Sequence, residues 1–155
     1  MQKPIGHPID IGLPKVEFVV LIASMMALNA LAIDIMVPAL NDIGAAFQLD
    51  NANDQQLVVF AYVLGFGVPQ LVWGPVSDRF GRRSLLLLSL LGYAVCGLAC
   101  VFSQSFDGLL AARFIMGVFA SAGRVVAGSV VRDVYAGRGM AEIMSLVMTV
   151  IMVVP

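Results

Sequence analysis

The sequence predicts an all-α membrane protein, and two observations support that prediction. Hydrophobic residues make up 60% of the 155-residue chain and charged residues only 12%, about half the charged fraction of a typical soluble domain. The apolar residues are gathered into runs long enough for membrane-crossing helices, which need about 20 residues, and they lack the alternation of barrel strands. A soluble enzyme and a disordered chain are therefore excluded, and a net charge of −1 argues against nucleic acid as a partner.

Charged residues mark the ends of five apolar runs. We predict membrane spans at 16–40, 55–75, 84–103, 108–132 and 140–155, after a cytoplasmic tail at 1–15. The last run stops at Pro155 and is too short to cross a hydrocarbon core about 30 Å thick. We therefore interpret the sequence as part of a longer polytopic protein, with a four-span protein carrying a re-entrant C-terminal segment as the alternative.

Outside the predicted spans, lysine and arginine alternate along the chain, occurring in the tail and in every second connection. They lie in the tail and after spans two and four, whereas the loops at 41–54 and 103–107 hold aspartates but no lysine or arginine. Because positively charged loops remain on the cytoplasmic side, the N-terminus is predicted to be cytoplasmic. The expected location is the inner (cytoplasmic) membrane of the cell.

Small residues recur along span four, where they allow neighbouring helix backbones to approach closely. Gly117 is the packing position we single out, and Cys96 and Cys100 in span three are interpreted in the same way. The nine methionines are interpreted as lipid- or core-facing filler, with a methionine-rich substrate surface as the alternative. With His7 as the single histidine, the sequence offers no metal cluster, and it has no nucleophile–base pair or phosphate loop, so we predict neither a metal site nor enzymatic activity.

Three ionisable side chains, Asp34, Arg113 and Arg124, lie within the predicted spans, where such groups are costly and usually functional. Counted from Asp42 and Asp107 at the outer ends, Asp34 and Arg113 lie about 12 Å and about 9 Å deep. We therefore hypothesise that they face one cavity and interact directly or through water, since an opposite charge relieves the cost of burial. Arg124 lies on nearly the same face of span four; it lines the inner cavity or pairs with a helix outside this chain.

Pro38 is predicted to break the first helix beside Asp34. Proline has no N–H to donate to the carbonyl of Asp34, four residues earlier. The alternative is a helix that simply ends at Pro38, with Asp34 near the interface. Because burial favours a protonated Asp34 and Arg113 favours the carboxylate, the pair is a candidate proton-coupling site.

The connection between spans two and three carries a motif of glycines and charges. Its candidate gating residues are Gly74, Asp78, Arg79, Gly81, Arg82 and Arg83. The glycines permit a tight turn and close helix approach, the aspartate can accept from an arginine or from a helix N-terminus, and the arginines favour the anionic inner surface. A simple positive anchor would explain the arginines but neither the glycines nor the aspartate.

This motif resembles the signature between helices two and three of the major facilitator superfamily of secondary transporters. In span four, Leu109, Arg113 and Gly117 are spaced as in the superfamily's fourth-helix signature, although Met116 stands where the family often has glutamine. The segments 32–40 and 131–135 are most similar to the Bcr/CflA-type branch of drug:proton antiporters, which confers bicyclomycin or chloramphenicol resistance.

The resemblance implies a twelve-helix fold of two six-helix halves that rock to alternate access, of which this chain supplies part of the N-terminal half. It implies that Gly74, Asp78 and Arg82 contact the second half and lock the outward-facing state. The expected function is proton-coupled efflux of drugs or other small molecules, with the proton as coupling ion and no other cofactor. The expected partners are a small-molecule substrate, the bilayer and the remaining C-terminal helices. The alternatives are a superfamily transporter of another solute (a sugar, amino acid or metabolite) and a truncated, non-transporting membrane fragment.

Overall fold

The chain folds into a bundle of α-helices. A computed structural model describes residues 14–49, 51, 53–135 and 137–153, and no strand occurs in those ranges. The helices are α1 (Lys15–Asp34), α2 (Met36–Ala46), α3 (Leu57–Gly67), α4 (Gln70–Phe80), α5 (Arg82–Val101), α6 (Phe106–Val134) and α7 (Gly137–Val153), with a 3-10 turn at Asp54–Gln56 before α3. The predicted tail at 1–15 lies almost entirely outside the described residues, as do the last two residues of the predicted fifth span.

Three helical segments in the described part of the chain are long and apolar enough to cross a membrane. They are Val16–Ala46, which joins α1 and α2, Arg82–Val101 and Phe106–Val134. The 3-10 turn with α3, together with α4, is apolar and long enough for a fourth span if the two parts, which are bent by 46°, count as one. The helical segments extend past several predicted span ends, most clearly from 40 to Ala46, because a helix can continue into water beyond the last apolar residue.

Two short interruptions shape these spans. Ile35 is the single residue between α1 and α2, and its dihedral angles (φ −64°, ψ −29°) remain helical. The interruption lies one turn before Pro38, where the carbonyl of Asp34 lacks an N–H partner. The first span is therefore one helix with a weak point beside Asp34. The second interruption falls at Val68 and Pro69, between α3 and α4.

Helix α6 is the centre of the bundle and packs against α1, α3, α4 and α5. The closest approach is to α3, where a glycine on each helix leaves room for the backbone of the other. A Cβ added to Gly65 would stand 2.0 Å from the carbonyl oxygen of Phe114, and one added to Gly117 would stand 2.3 Å from the carbonyl oxygen of Tyr62. The predicted packing role of Gly117 is therefore seen as backbone contact, which small residues make possible in lipid.

Buried apolar clusters secure the two ends of α6. One cluster joins α1, α6 and α7 through residues that include Ile22, Val131 and Ile143. The other joins α2, α3 and α6 through Met36, Val58 and Leu109. At its N-terminus α6 is capped by Ser105, whose Oγ accepts a hydrogen bond from the N–H of Gly108 at 3.2 Å, as N-cap serines do. The position of α6 and of its charged side chains is therefore fixed at both ends.

Candidate functional site

Arg113 lies where α1, α2, α3 and α6 meet. Its Nη2 donates to the sulfur of Met36 at 3.4 Å, and its Nη1 lies 3.9 Å from the sulfur of Met116. Its Nε is buried and has no hydrogen-bond partner among the described residues. Thioether sulfur is a weak acceptor, so this guanidinium is poorly satisfied for a group at membrane depth.

Asp34 stands at the end of α1, close in sequence to Met36 but not facing Arg113. Its side chain is exposed on the bundle, and none of the ion pairs between described residues joins it to Arg113. The space beside the guanidinium is lined from this segment by Ala32, Ile33 and Met36. The structure thus brings the segment around Asp34 close to Arg113, but the side chains of Asp34 and Arg113 are not in contact.

A polar link crosses from α3 to α1 next to Arg113. The hydroxyl of Tyr62 donates to Oδ1 of Asn29 at 2.7 Å, and Tyr62 also lines the space beside the guanidinium. Such buried hydrogen bonds hold helices in register where water is absent. This link fixes α1 and α3 on either side of Arg113.

Arg124 lies further along α6, toward its C-terminal end. Its guanidinium carbon is 5.6 Å from the centroid of the Phe66 ring on α3, within the range of a cation–π contact. The Arg124 side chain is exposed on the bundle. None of the ion pairs between described residues involves Arg124, and its two predicted roles, lining the inner cavity or pairing with a helix outside this chain, stay predictions.

The connection that carries the predicted gating motif folds as a tight turn between α4 and α5. Gly81 has φ 84° and ψ 142°, a backbone conformation that glycine adopts without strain. Nη2 of Arg82, the first residue of α5, lies 3.7 Å from Oδ1 of Asp78 on α4. Its Nη1 lies 2.6 Å from Oδ2 of Asp133 at the end of α6. The contact with Asp133 is an ion pair without hydrogen-bond alignment. Arg82 therefore ties the turn to α6.

The remaining residues of the predicted gating motif are placed around this turn. Arg79 lies 5.8 Å from the centroid of the Phe80 ring, and Arg83 is exposed. A Cβ added to Gly74 would have no neighbour within 4 Å among the described residues. The close helix approach predicted for Gly74 is thus not made inside this bundle.

The link between Arg82 and Asp133 yields a testable expectation for stability. The side chains are 31% and 47% exposed, and partly exposed ion pairs contribute little, about 1 kcal/mol or less. A double-mutant cycle with Arg82→Gln and Asp133→Asn should therefore give a coupling energy below about 1 kcal/mol in thermal unfolding of the full-length protein. A coupling of several kcal/mol would show that the pair is far less solvated than this geometry indicates.

Sequence reasoning missed two members of these sites. Asp133 lies in the segment 131–135, but the sequence does not identify it as the partner of Arg82, because no pattern predicts that α6 reaches the turn between α4 and α5 at that residue. The contact of Met36 with Arg113 is not predicted, because a methionine in an apolar run is interpreted as a lipid- or core-facing residue. No group of three or more metal-binding side chains occurs among the residues that the structure describes.

Comparison with known proteins places these features in a family. A family model described as Major Facilitator Superfamily matches residues 22–155. The chain is 35% identical over 144 residues, 93% of its length, to "Uncharacterized MFS-type transporter YdgK" of Bacillus subtilis (strain 168), of which it covers 36%. No solved structure gives a significant match.

Two further relatives carry resistance names. The chain is 31% identical over 141 residues to "Bicyclomycin resistance protein homolog" of Haemophilus influenzae, covering 89% of this chain and 34% of the relative. It is also 31% identical over 141 residues to "Multidrug resistance protein D" of Escherichia coli (strain K12), covering 91% of this chain and 36% of the relative. The chain thus spans about a third of the length of these relatives.

These matches confirm the resemblance drawn from the inner connection and span four, including the similarity to the Bcr/CflA-type branch. The family and its named relatives are transporters, not enzymes, and the helical segments are those of a multi-pass membrane protein. The match extends over nearly all of the sequence, from α1 to the C-terminal helix. The chain belongs to the Major Facilitator Superfamily.

Proposed function

We propose that this chain forms part of a proton-coupled exporter of drugs or similar small molecules. The observation that supports this most directly is Arg113, a half-buried arginine at the junction of α1, α3 and α6. Among the described residues its buried Nε has no partner, and its only hydrogen-bond acceptors are sulfur atoms. Burying a charge without a counterion is costly. A charged group that keeps this energetic cost is expected to serve transport, and its predicted counterion, Asp34, ends the adjoining helix α1.

Proton coupling would follow from two states of Asp34. When Asp34 is protonated, it is neutral and needs no counterion, so it can remain apart from Arg113 as in this structure. When it is ionised, the guanidinium offers the charge that a carboxylate at this depth requires. Substrate that binds the ionised form would then be exchanged for a proton as access alternates.

The other residues of the site would serve this cycle. Arg124 over Phe66 would line the inner part of the route, and the turn around Gly81 would gate it by contacting helices outside this chain. Gly74 favours the second role, because it leaves an open surface on α4 where another backbone could approach. We place the protein in the cytoplasmic membrane with its N-terminus inside, from the distribution of lysine and arginine.

The proposal is tested with the complete gene in a strain that lacks its own exporters. We expect raised resistance to compounds of the bicyclomycin and chloramphenicol type, and loss of that resistance when an uncoupler dissipates the proton gradient. Resistance that persists with the uncoupler would reject proton coupling. No change in susceptibility across the panel would favour transport of another solute or a non-transporting role.

Removal of the guanidinium gives a sharper expectation. Arg113→Ala in the full-length transporter should lower proton-driven efflux by roughly tenfold or more, since a hydrogen bond to a charged group contributes about 1.5–3 kcal/mol and each 1.4 kcal/mol is tenfold. Lys3→Ala, which removes a positive charge from the N-terminal tail, is the control for loss of a positive charge outside the proposed coupling and gating residues. Unchanged efflux in Arg113→Ala, measured in inside-out vesicles, would remove Arg113 from the coupling site.

A further inference from the structure

A small cavity lies between α1, α5 and α6. Much of its wall is apolar and comes from Met25 and Leu28 on α1 and from Phe119, Ala120 and Gly123 on α6. The space open to the centre of a water molecule is about 20 Å³, and one buried water needs about 10–15 Å³ of such space. The cavity therefore has room for one water molecule.

Three polar side chains line the same cavity, Asn29 of α1 and Ser89 and Tyr93 of α5. Oδ1 of Asn29 accepts from the hydroxyl of Tyr62 at 2.7 Å, which leaves the amide N–H groups of Asn29 without a partner among the described residues. The hydroxyl of Tyr93 likewise makes no hydrogen bond to a described residue. Oγ of Ser89 donates to the carbonyl of Leu86 at 2.8 Å and can still accept.

The cavity separates two helices that have no direct link. Helices α1 and α5 both pack on α6 and hardly touch each other, and no hydrogen bond between described residues joins them. Unpaired polar groups are costly at membrane depth, where bulk water cannot reach them. Buried waters occur where a few polar groups share a cavity large enough for one, and this cavity meets both conditions.

We propose that this cavity is a binding site for one water molecule that bridges α1 and α5. The water accepts from the amide of Asn29 and from the hydroxyl of Tyr93, and it donates to Oγ of Ser89. Through Asn29 it extends the hydrogen bond from Tyr62, so that α3, α1 and α5 form one polar network around α6. The inference goes beyond the proposed function, because it does not depend on proton coupling or on the transported compound.

The direct test is a high-resolution structure of the purified full-length transporter. We expect water density about 2.7–3.2 Å from both Nδ2 of Asn29 and the hydroxyl of Tyr93. A direct hydrogen bond between these two side chains would overturn the proposal. So would the lack of density between them in a map that resolves other buried waters.

Thermal unfolding of the full-length transporter tests whether the water joins the two helices. Tyr93→Phe removes one partner of the water, so the unfolding midpoint should fall by about 2 °C, from the net value of one hydrogen bond. Asn29→Leu places apolar atoms in the cavity and displaces the water, which leaves the hydroxyl of Tyr93 unpaired. In that background Tyr93→Phe should leave the midpoint unchanged or raise it, because it removes a polar group without a partner.

Tyr135→Phe is the matched control, because Tyr135 packs on Phe18 of α1 and does not line the cavity. Its effect should be the same with and without Asn29→Leu. An equal fall from Tyr93→Phe in both backgrounds would overturn the bridging role. A midpoint that does not fall with Tyr93→Phe alone would also overturn it, since the hydroxyl of Tyr93 is already unpaired in a dry cavity. If Asn29→Leu does not fold, the density and Tyr93→Phe alone decide the question.

Discussion

Replacing Asp34 with Asn should abolish proton-driven efflux while leaving the transporter in the membrane. Asparagine is nearly isosteric with a protonated aspartic acid, so insertion and packing should change little, but its amide cannot release a proton. We therefore expect accumulation of drug in inside-out vesicles, driven by a pH gradient, to fall to the level of vesicles without the transporter. The amount of protein in the membrane, measured on the same vesicles, should match the wild type.

The matched control for this substitution is Asp42→Asn. Asp42 is an exposed carboxylate of the same helical span, two turns beyond Asp34 and in the C-terminal half of α2. Its loss removes one negative charge without touching the segment that adjoins Arg113, and efflux should persist. Accumulation by Asp34→Asn at the wild-type rate would show that another group binds the transported proton.

The second large effect is expected at Gly65, where α3 and α6 meet backbone to backbone. Gly65→Ala would place a methyl group 2.0 Å from the carbonyl oxygen of Phe114, and a backbone atom cannot rotate away as a side chain can. The two helices must separate, so we expect a loss of about 3 kcal/mol, the upper end of the usual cost of overpacking. Thermal unfolding of the purified full-length protein measures this loss.

Gly67→Ala is the control, because Gly67 belongs to the same helix and an added Cβ there would meet nothing within 4 Å. Alanine is also the better helix former, by about 1 kcal/mol, so stability should be unchanged or slightly raised. Equal destabilisation by the two substitutions would show that the contact of Gly65 with α6 does not determine the effect, because helix propensity favours alanine at both positions.

The sequence was most informative where a single physical requirement determines structure. Apolar runs bounded by charges predicted an all-α membrane protein, since every backbone polar group in lipid must be bonded within its own helix. Small residues in span four predicted close packing, and Gly117 does contact the backbone of α3. The chemistry of Pro38 predicted a weakened helix, although the interruption is centred on Ile35 and leaves the span continuous.

Side-chain partners could not be predicted in the same way, because they depend on helix rotation and on which helices adjoin. Matching depths suggested that Asp34 and Arg113 interact, but depth does not specify the face, and Met36 occupies the facing position instead. The pairing of Arg82 with Asp133 joins residues that are far apart in sequence, and charge spacing within one motif predicts only the contact with Asp78. The structure was needed to find both.

The most direct test of proton coupling at Asp34 is the release of protons when a substrate binds to the purified full-length transporter in weakly buffered solution. Addition of the compound to which the complete gene gives the greatest resistance should acidify a wild-type sample. The same addition should produce no pH change with Asp34→Asn, provided that the variant still binds the compound. Proton release of wild-type size from Asp34→Asn would contradict the central claim that this carboxyl group binds the exchanged proton.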